Sequence, residues 1–168
     1  FYLVSAGRLT KSKRFLNIIK IIESLNNKII LHIYGEGPYK DKISKYIDKK
    51  RLSKIVMLKG WRQNLQSVYK NYDLFLFNSY YEGVPNVLLE ASYSGVPIIS
   101  FRYNPGVKLI VKNRINGFVV NSENELKEKV QFLLNNPKLL RKMKNKNLHL
   151  KKIFNNKKIL KKWQALIS

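Results

Sequence analysis

The sequence contains no cysteine and little else that binds a metal ion. Without cysteine, the chain forms neither a disulfide framework nor a thiolate metal site. Its two histidines, His32 and His149, are far apart and lack partners at the spacing of metal ligands. His32 lies inside an apolar run, where a core or edge position is expected. No apolar run reaches the roughly 20 residues that span a bilayer.

Acidic residues are also scarce: ten Asp and Glu stand against 33 Lys and Arg, a formal net charge of +23. Three explanations are open, namely a lysine-rich coding bias, attraction to an anionic membrane surface, and nucleic-acid binding. The basic residues are spread over many segments rather than one docking motif. The aromatic residues Phe75, Phe77 and Phe101 fall in apolar, strand-like runs. We therefore expect coding bias or membrane attraction, and no nucleic-acid partner.

The length of 168 residues and the hydrophobic content of 45% suit one domain with a substantial core. No low-complexity linker divides the chain. It opens directly on the strand-like "FYLVSAG". From that opening we expect a domain of a longer protein.

Apolar runs of strand length alternate with segments of helical period. Most of the runs are continuous, which is typical of parallel strands buried on both faces. After Glu123 only helical patterns remain, divided at Pro137. This order predicts a doubly wound parallel α/β sheet of about six strands, with helices on both faces and extra carboxyl-terminal helices. We predict strands at Tyr2–Ala6, Ile29–Tyr34, Ile55–Leu58, Leu74–Asn78, Ile98–Phe101 and Gly117–Val120, and helices near residues 14–25, 39–50, 65–71 and 86–94.

Glycine follows each of the first five predicted strands. In open parallel sheets, ligands bind beyond the carboxyl ends of the strands, and glycine lets the backbone approach them closely. Gly35-Glu36-Gly37 is no dinucleotide fingerprint, because Lys40 stands where the third glycine would be. The repetition nevertheless predicts a phosphate-bearing ligand at this edge. The glycines are Gly7, the pair Gly35 and Gly37, Gly60, Gly83, and Gly106 in the Asn104-Pro105-Gly106 run.

The stretch "YEGVPNVLLEASYSGVPIIS", residues 81–100, places two of the scarce glutamates, Glu82 and Glu90, around a Gly-Val-Pro turn. Pro85 suits the first turn of a helix, whose free amides and dipole attract an anion. Carboxylates accept hydrogen bonds from paired hydroxyls. We expect the amides to bind phosphate and the glutamates to bind sugar hydroxyls. The alternative is that Glu82 caps the helix and Glu90 pairs with a lysine.

Arg8 and Lys13 follow the first predicted strand. They would supply the positive charge that a diphosphate needs, Arg8 through its two-pronged guanidinium. The alternative is that both are solvated surface charges, since lysine occurs throughout the chain.

These residues resemble a known family. Glu82 and Glu90 are separated by seven residues, as in the E-x7-E motif of retaining glycosyltransferases with the GT-B fold, glycosyltransferase family 4 (group 1). The segments "AGRLTKSKRF", "IYGEGPYKDKI", "FLFNSYYEGVPNVLLEASYSGVPIIS" and "INGFVV", and the segment from near Phe154, are similar to that family too. The resemblance implies a Rossmann-like, carboxyl-terminal donor domain over residues 1–168, without its amino-terminal acceptor domain.

The resemblance also implies a nucleotide-sugar site that uses neither a cofactor nor a metal. The aspartates Asp41, Asp48 and Asp73 form no D-x-D pair. Arg8 and Lys13 would contact the donor diphosphate, Glu82 would lie beside the sugar, and Glu90 would bind the ribose. The predicted catalytic residues are Glu82, Arg8 and Lys13, and the predicted donor site comprises Gly7, Arg8, Lys13, Gly35, Gly37, Gly60, Trp61, Arg62, Glu82, Gly83, Val84, Pro85, Asn86 and Glu90.

One position departs from the family pattern. Many members carry a glutamate in a G-x-x-E-I-I-like run after the fifth strand, where "PGVKLIV" places Lys108. We expect this charge reversal to alter sugar choice or weaken donor binding without changing the fold. It also favours the alternative of a non-catalytic domain of the same fold that contacts a partner or a membrane.

The expected function is hexose transfer from a nucleotide sugar to a glycan or lipid-linked acceptor in bacterial surface polysaccharide synthesis. The chain alone is expected to be inactive, in the cytoplasm or at the inner face of the membrane. After Glu128 no acidic residue remains, and basic and apolar residues, including Trp163, alternate at helical spacing. We expect the apolar side of this tail to pack on the domain. The lysines would face outward and attract an anionic membrane surface.

Overall fold

Six parallel strands form the central sheet of the protein. The computed structural model describes residues 1–25, 29–102 and 105–153, with side chains as far as Leu148. The order of the strands across the sheet is β3-β2-β1-β4-β5-β6, and every neighbouring pair is parallel. The predicted sheet is confirmed, and each strand lies within one residue of its predicted bounds. The strands are β1 Tyr2–Ala6, β2 Ile30–Tyr34, β3 Val56–Leu58, β4 Leu74–Phe77, β5 Ile98–Phe101 and β6 Gly117–Val120.

Helices connect the strands and complete the described chain. The four predicted helices between strands are present, shortened at their ends, and the two helical segments after the last strand meet at the predicted proline. The helices are α1 Phe15–Glu23, α2 Lys40–Lys49, α3 Gln66–Tyr69, α4 Asn86–Tyr93, α5 Pro105–Ile110, α6 Glu123–Leu134 and α7 Pro137–Ile153, with a 3-10 turn at Lys11–Lys13.

Apolar side chains cover both faces of the sheet. Leu3 of β1 belongs to a core with Ile18 of α1 and Leu126 of α6. Its neighbour Val4 belongs to a second core with residues of α3, α4 and α5, among them Leu88. Successive strand residues point to opposite faces, so a strand covered on both sides needs apolar residues at every position. This explains the continuous runs in the sequence.

The helix α5 corrects the prediction of a ligand-facing loop after β5. Pro105 begins this helix, a position that suits its fixed φ. Gly106 is buried, and a Cβ there would collide with the carbonyl oxygen of Gly83. This glycine therefore lets two protein segments touch, not a ligand. Asn104 lies outside the described residues.

The helix α7 is attached to the sheet by a buried amide. Asn147 is fully buried, and its Oδ1 accepts a hydrogen bond of 2.7 Å from the Ser92 hydroxyl. Its Nδ2 donates to the carbonyl oxygens of Val96, at 2.9 Å, and Asn116, at 3.3 Å. Leu140 and Met143 of the same helix belong to the first core.

The described part of α7 therefore packs as predicted. Lys138, Arg141, Lys142 and Lys146 are exposed on it, facing away from the core. Phe154 and Trp163, which belong to the predicted tail, lie outside the described residues.

Replacing Asn147 by Ala is predicted to destabilise the fold by about 1–3 kcal/mol, because it leaves a buried hydroxyl and two carbonyl groups without their partner. Urea unfolding would measure the change. Asn145→Ala is the matched control, since Asn145 is exposed on the same helix, and it should change stability by less than about 0.5 kcal/mol. Equal losses in the two variants would contradict this role of Asn147.

Candidate functional site

A cleft of about 400 Å³ lies at the carboxyl ends of the strands, on the side of β1, β2 and α4. It lies where the strand order reverses: the chain passes from β1 to β2 in one direction and from β4 to β5 in the other. Loops that leave such a switch point diverge and open a crevice. Six of the predicted site residues line it: Gly7, Arg8, Gly35, Trp61, Arg62 and Glu90.

The other predicted residues do not line this cleft. Gly37 packs against the backbone of Leu9, where a Cβ would lie 2.5 Å from the Leu9 carbonyl oxygen. Gly60 supports the cleft indirectly, since its carbonyl accepts the Gly35 N–H at 2.8 Å. The remaining predicted residues lie at the start of α4 and in its surroundings: Glu82, Gly83, Val84 and Pro85 precede the helix, Asn86 begins it, and Lys13 pairs with Glu82.

Lys13 and Glu82 form an ion pair beside the cleft. Both side chains are about one-fifth exposed, and Glu82 Oε1 also accepts a hydrogen bond of 3.0 Å from the Ser79 hydroxyl. Burial lowers the pKa of Lys13. The two residues come from the loops after β1 and β4, so the structure brings together two charges that lie 69 positions apart in the chain.

Two further contacts join the same loops. The Tyr80 N–H donates to the Ser12 carbonyl at 3.1 Å. The Arg14 guanidinium lies 4.4 Å from the centre of the Tyr80 ring, and its Nη2 is 3.6 Å from Glu123 Oε1. Cation–π and ionic contacts of this kind restrict the motion of exposed loops. The loop that carries Glu82 is therefore held against the loop that carries Lys13.

The first turn of α4 presents free amides. Pro85 occupies the N-cap, with extended backbone at φ −73° and ψ 110°, one position earlier than predicted. Within the described chain, the N–H groups of Gly83, Val84, Asn86 and Val87 donate no hydrogen bond. No side chain caps this helix, so the alternative that Glu82 is a helix cap is wrong. Unpaired amides at a helix start bind anions.

Glu90 lies one turn further along α4 and lines the cleft. Among the described residues its carboxylate forms neither a hydrogen bond nor an ion pair, so the alternative of a lysine partner is wrong as well. Burial raises the pKa of Glu90. A partly buried carboxylate without a partner is costly to keep, and such groups are concentrated at functional sites.

Five cleft residues escaped the sequence prediction: Tyr34, Glu36, Gln63, Leu65 and Val87. Val87 precedes Glu90 by three positions on α4, so helical spacing would have found it. Tyr34 ends β2, and its hydroxyl is 2.9 Å from that of Tyr72, which is 2.8 Å from His32 Nδ1. His32 is thus a half-buried structural residue, as predicted.

Asn78, directly after β4, is a buried polar residue that the sequence analysis did not assign to the site. Its side chain is 2% exposed, yet neither amide atom has a hydrogen-bond partner among the described residues. Buried polar atoms are nearly always paired. The amide is therefore a buried polar group, directly before Ser79, whose hydrogen-bonding capacity no described residue uses.

Lys108 does not line the cleft. It is exposed on α5 and borders a separate depression. In the described part of the chain, no cluster of three or more His, Asp or Glu side chains could hold a metal ion. None of the described helices is both long and apolar enough to cross a membrane.

A switch-point cleft with an arginine, a free carboxylate and open helix amides is typical of a nucleotide-binding α/β domain. Residues 1–149 match the family described as glycosyl transferases group 1, and the chain belongs to that family.

Two relatives illustrate the match. The poly(ribitol-phosphate) alpha-N-acetylglucosaminyltransferase of Staphylococcus aureus (strain COL) is 30% identical over 168 residues, which cover 96% of this chain and 34% of the relative. The UDP-Gal:alpha-D-GlcNAc-diphosphoundecaprenol alpha-1,3-galactosyltransferase of Escherichia coli is 31% identical over 126 residues, 71% of this chain and 32% of the relative.

Among solved structures, the pneumococcal O-GlcNAc transferase GtfA in complex with UDP and GlcNAc superposes with a TM-score of 0.89 at 26% identity. The alignment covers 99% of this chain and 35% of that chain. The fold is thus that of GT-B glycosyltransferases, and the chain spans about a third of the length of these relatives.

Proposed function

We propose that this chain is the carboxyl-terminal, donor-binding domain of a retaining glycosyltransferase of family 4. It binds a nucleoside diphosphate sugar and positions the hexose for transfer to an acceptor. One observation carries the proposal: the switch-point cleft with Arg8 and Glu90 lies beside the open amides of α4 and the Lys13–Glu82 pair. These groups match the three parts of the donor.

The diphosphate needs positive charge and hydrogen-bond donors. Arg8 is exposed at the cleft and offers two parallel N–H donors to phosphate oxygens. The amides of Gly83, Val84, Asn86 and Val87 add neutral donors and the positive end of the helix dipole. Together they would stabilise the negative charge that develops on the leaving diphosphate. This arrangement supports transfer without a bound metal ion or cofactor.

The Lys13–Glu82 pair supplies a charge and an acceptor for the reacting end of the donor. Without donor, the two groups neutralise each other at a place where each side chain is about one-fifth exposed. When the donor binds, the Lys13 ammonium would turn to a phosphate oxygen and Glu82 would accept sugar hydroxyls. Both charges then keep a partner, which avoids the cost of a desolvated single charge.

The nucleoside fits the other end of the cleft. Glu90 is a free carboxylate at the right place to accept both ribose hydroxyls. Trp61, with 70% of its surface exposed, and Arg62 offer flat surfaces near the base, and Tyr34 closes the floor. The structure of GtfA contains UDP, and a uridine nucleotide is therefore the first ligand to test.

In transfer with retained configuration, the bond between the anomeric carbon and the diphosphate breaks and the acceptor oxygen bonds to that carbon on the same face, while the acceptor proton passes to the departing phosphate. The acceptor would bind between this domain and an amino-terminal domain of the same protein. For that reason the isolated chain is expected to bind donor without transferring sugar.

The acceptor we propose is a phosphate-bearing glycan or a lipid-linked glycan of a bacterial surface polysaccharide. The name of the Staphylococcus aureus relative specifies poly(ribitol-phosphate), and that of the Escherichia coli relative specifies a diphosphoundecaprenol-linked sugar. Both names specify an alpha linkage, which agrees with retention if the donor sugar is alpha-linked to its diphosphate.

Replacing Arg8 by Ala is predicted to weaken UDP binding by on the order of 1.5–3 kcal/mol, because charge-assisted hydrogen bonds to phosphate are lost. Isothermal calorimetry at fixed salt measures the affinity. Arg141→Ala, which removes an exposed arginine from α7, is the matched control and should leave the affinity unchanged. Unchanged binding in Arg8→Ala would refute the diphosphate role of Arg8.

Two glutamate variants separate the nucleoside from the sugar. Glu90→Gln is predicted to lower the affinity for UDP itself about tenfold, since a neutral amide accepts hydrogen bonds from the ribose hydroxyls less well than a carboxylate does. Glu82→Gln should change the affinity for UDP little and reduce the extra affinity of a UDP-hexose over UDP. Calorimetry with both ligands makes the comparison. An equal loss of UDP affinity in the two variants would show that this division of roles is wrong.

We also propose that the domain is attracted to an anionic membrane surface, where a lipid-linked acceptor would lie. The exposed residues Lys138, Lys142 and Lys146 follow one another at four-residue spacing on α7, opposite its buried residues. Residues at this spacing share a helix face. Each lysine near an anionic surface contributes about 1 kcal/mol.

Replacing Lys138, Lys142 and Lys146 by Ala together is predicted to lower binding to anionic vesicles on the order of tenfold or more. Co-sedimentation at low salt measures the bound fraction, which should fall as salt screens the charges. The matched control replaces Lys42, Lys45 and Lys49, which are exposed on α2, by Ala and so removes the same charge from another helix. Equal loss in both triple variants, or equal binding to neutral vesicles, would remove this face from the proposal.

A further inference from the structure

A second depression, of about 300 Å³, lies at the carboxyl ends of β5 and β6, on the far side of the Glu82 loop from the donor cleft. Arg102 follows β5 directly, and Lys108 and Lys112 lie one turn apart on and after α5. Val111 and Val119 form an apolar floor. Among the described residues, no acidic side chain lines the depression.

The donors around this depression are held in place. The Lys112 ammonium donates to the Lys108 carbonyl oxygen at 2.8 Å, at the carboxyl end of α5, so its position is fixed. The Asn113 Oδ1 accepts the Val119 N–H at 2.7 Å, which leaves its NH₂ group free to donate elsewhere. Arg102 and Lys108 form no ion pair within the described chain. The surroundings therefore offer N–H donors and positive charge to one ligand.

The depression is next to the reacting end of the proposed donor site. The start of α5 touches the Glu82 loop, because Gly106 packs against the backbone of Gly83 and Val84. Both sites open at the same edge of the sheet. A ligand bound over α5 would lie on the side of the Glu82 loop that the nucleotide does not occupy.

We propose that Arg102, Lys108 and Lys112 bind a phosphate group of the acceptor. This inference rests on the proposed function, since it assigns the acceptor to the same transfer reaction. The ligand is a phosphate ester or diphosphate attached to a glycan or lipid, because three cations around a small apolar floor suit a compact anion with an organic part. Inorganic phosphate alone would lack the part that contacts Val111 and Val119.

The test compares two double variants in the whole chain. Arg102→Ala/Lys108→Ala removes two cations from the depression, and Arg141→Ala/Lys49→Ala removes the same two residue types from exposed positions on α7 and α2. Fluorescence anisotropy measures the affinity for two labelled probes, a glycerol-phosphate oligomer and a short-chain prenyl diphosphate. The measurements are made at saturating UDP and at two salt concentrations. The first variant should lose about tenfold or more for one of the two probes, and the control about twofold or less.

The probe that depends on Arg102 and Lys108 identifies the source of the phosphate. Equal losses of probe affinity in the two double variants would overturn the site. The probes would then be bound only by diffuse attraction to a chain of charge +23. Inorganic phosphate that competes as strongly as either organic probe would overturn the acceptor assignment. UDP affinity, measured in parallel, should be unchanged in the Arg102→Ala/Lys108→Ala variant. If the wild-type chain binds the glycerol-phosphate oligomer but does not bind UDP, the donor proposal is refuted while this site is supported.

Discussion

The reversal of strand order between β1 and β4 is the constraint on which the rest of the structure depends. Right-handed crossovers put α1 and α2 on one face of the sheet and α3, α4 and α5 on the other. The loops after β1 and β4 therefore leave neighbouring strands toward opposite faces and open a crevice between them. Arg8 and Glu90 reach the same cleft because each lies on one wall of that crevice.

The crevice is held in shape by contacts between its two walls. The Lys13–Glu82 ion pair, the Tyr80–Ser12 hydrogen bond and the stacking of Arg14 on Tyr80 all join the β1 loop to the β4 loop. Loops held in this way need little backbone rearrangement when a ligand binds, so that only side chains such as Lys13 and Glu82 have to turn and less binding free energy is spent on ordering the loops. The free amides of α4 and the unpaired carboxylate of Glu90 remain for the ligand, because the fold gives them no other partner.

Much of the fold followed from the sequence, because continuous apolar runs predict strands covered on both faces. All six strands were located within a residue. The short helix α5 was missed because Pro105 and Gly106 are ordinary turn residues, and the packing of Gly106 on Gly83 is a contact between distant segments. The glycine pattern identified the edge of the sheet where the cleft opens, and Gly37 and Gly106 also allow close contacts between loops at that edge.

The sequence by itself determined the positions of the six strands along the chain, the scarcity of acidic groups, and the spacing that places Glu82 before α4 and Glu90 within it. These depend on local pattern and composition. The tertiary structure decided that Glu82 pairs with Lys13 and Glu90 with no described residue, and that Tyr34 and Val87 join the cleft. It also gathered Arg102, Lys108 and Lys112 around one depression. Such pairings depend on which strands become neighbours, because residues far apart along the chain meet only when the sheet closes the distance between them.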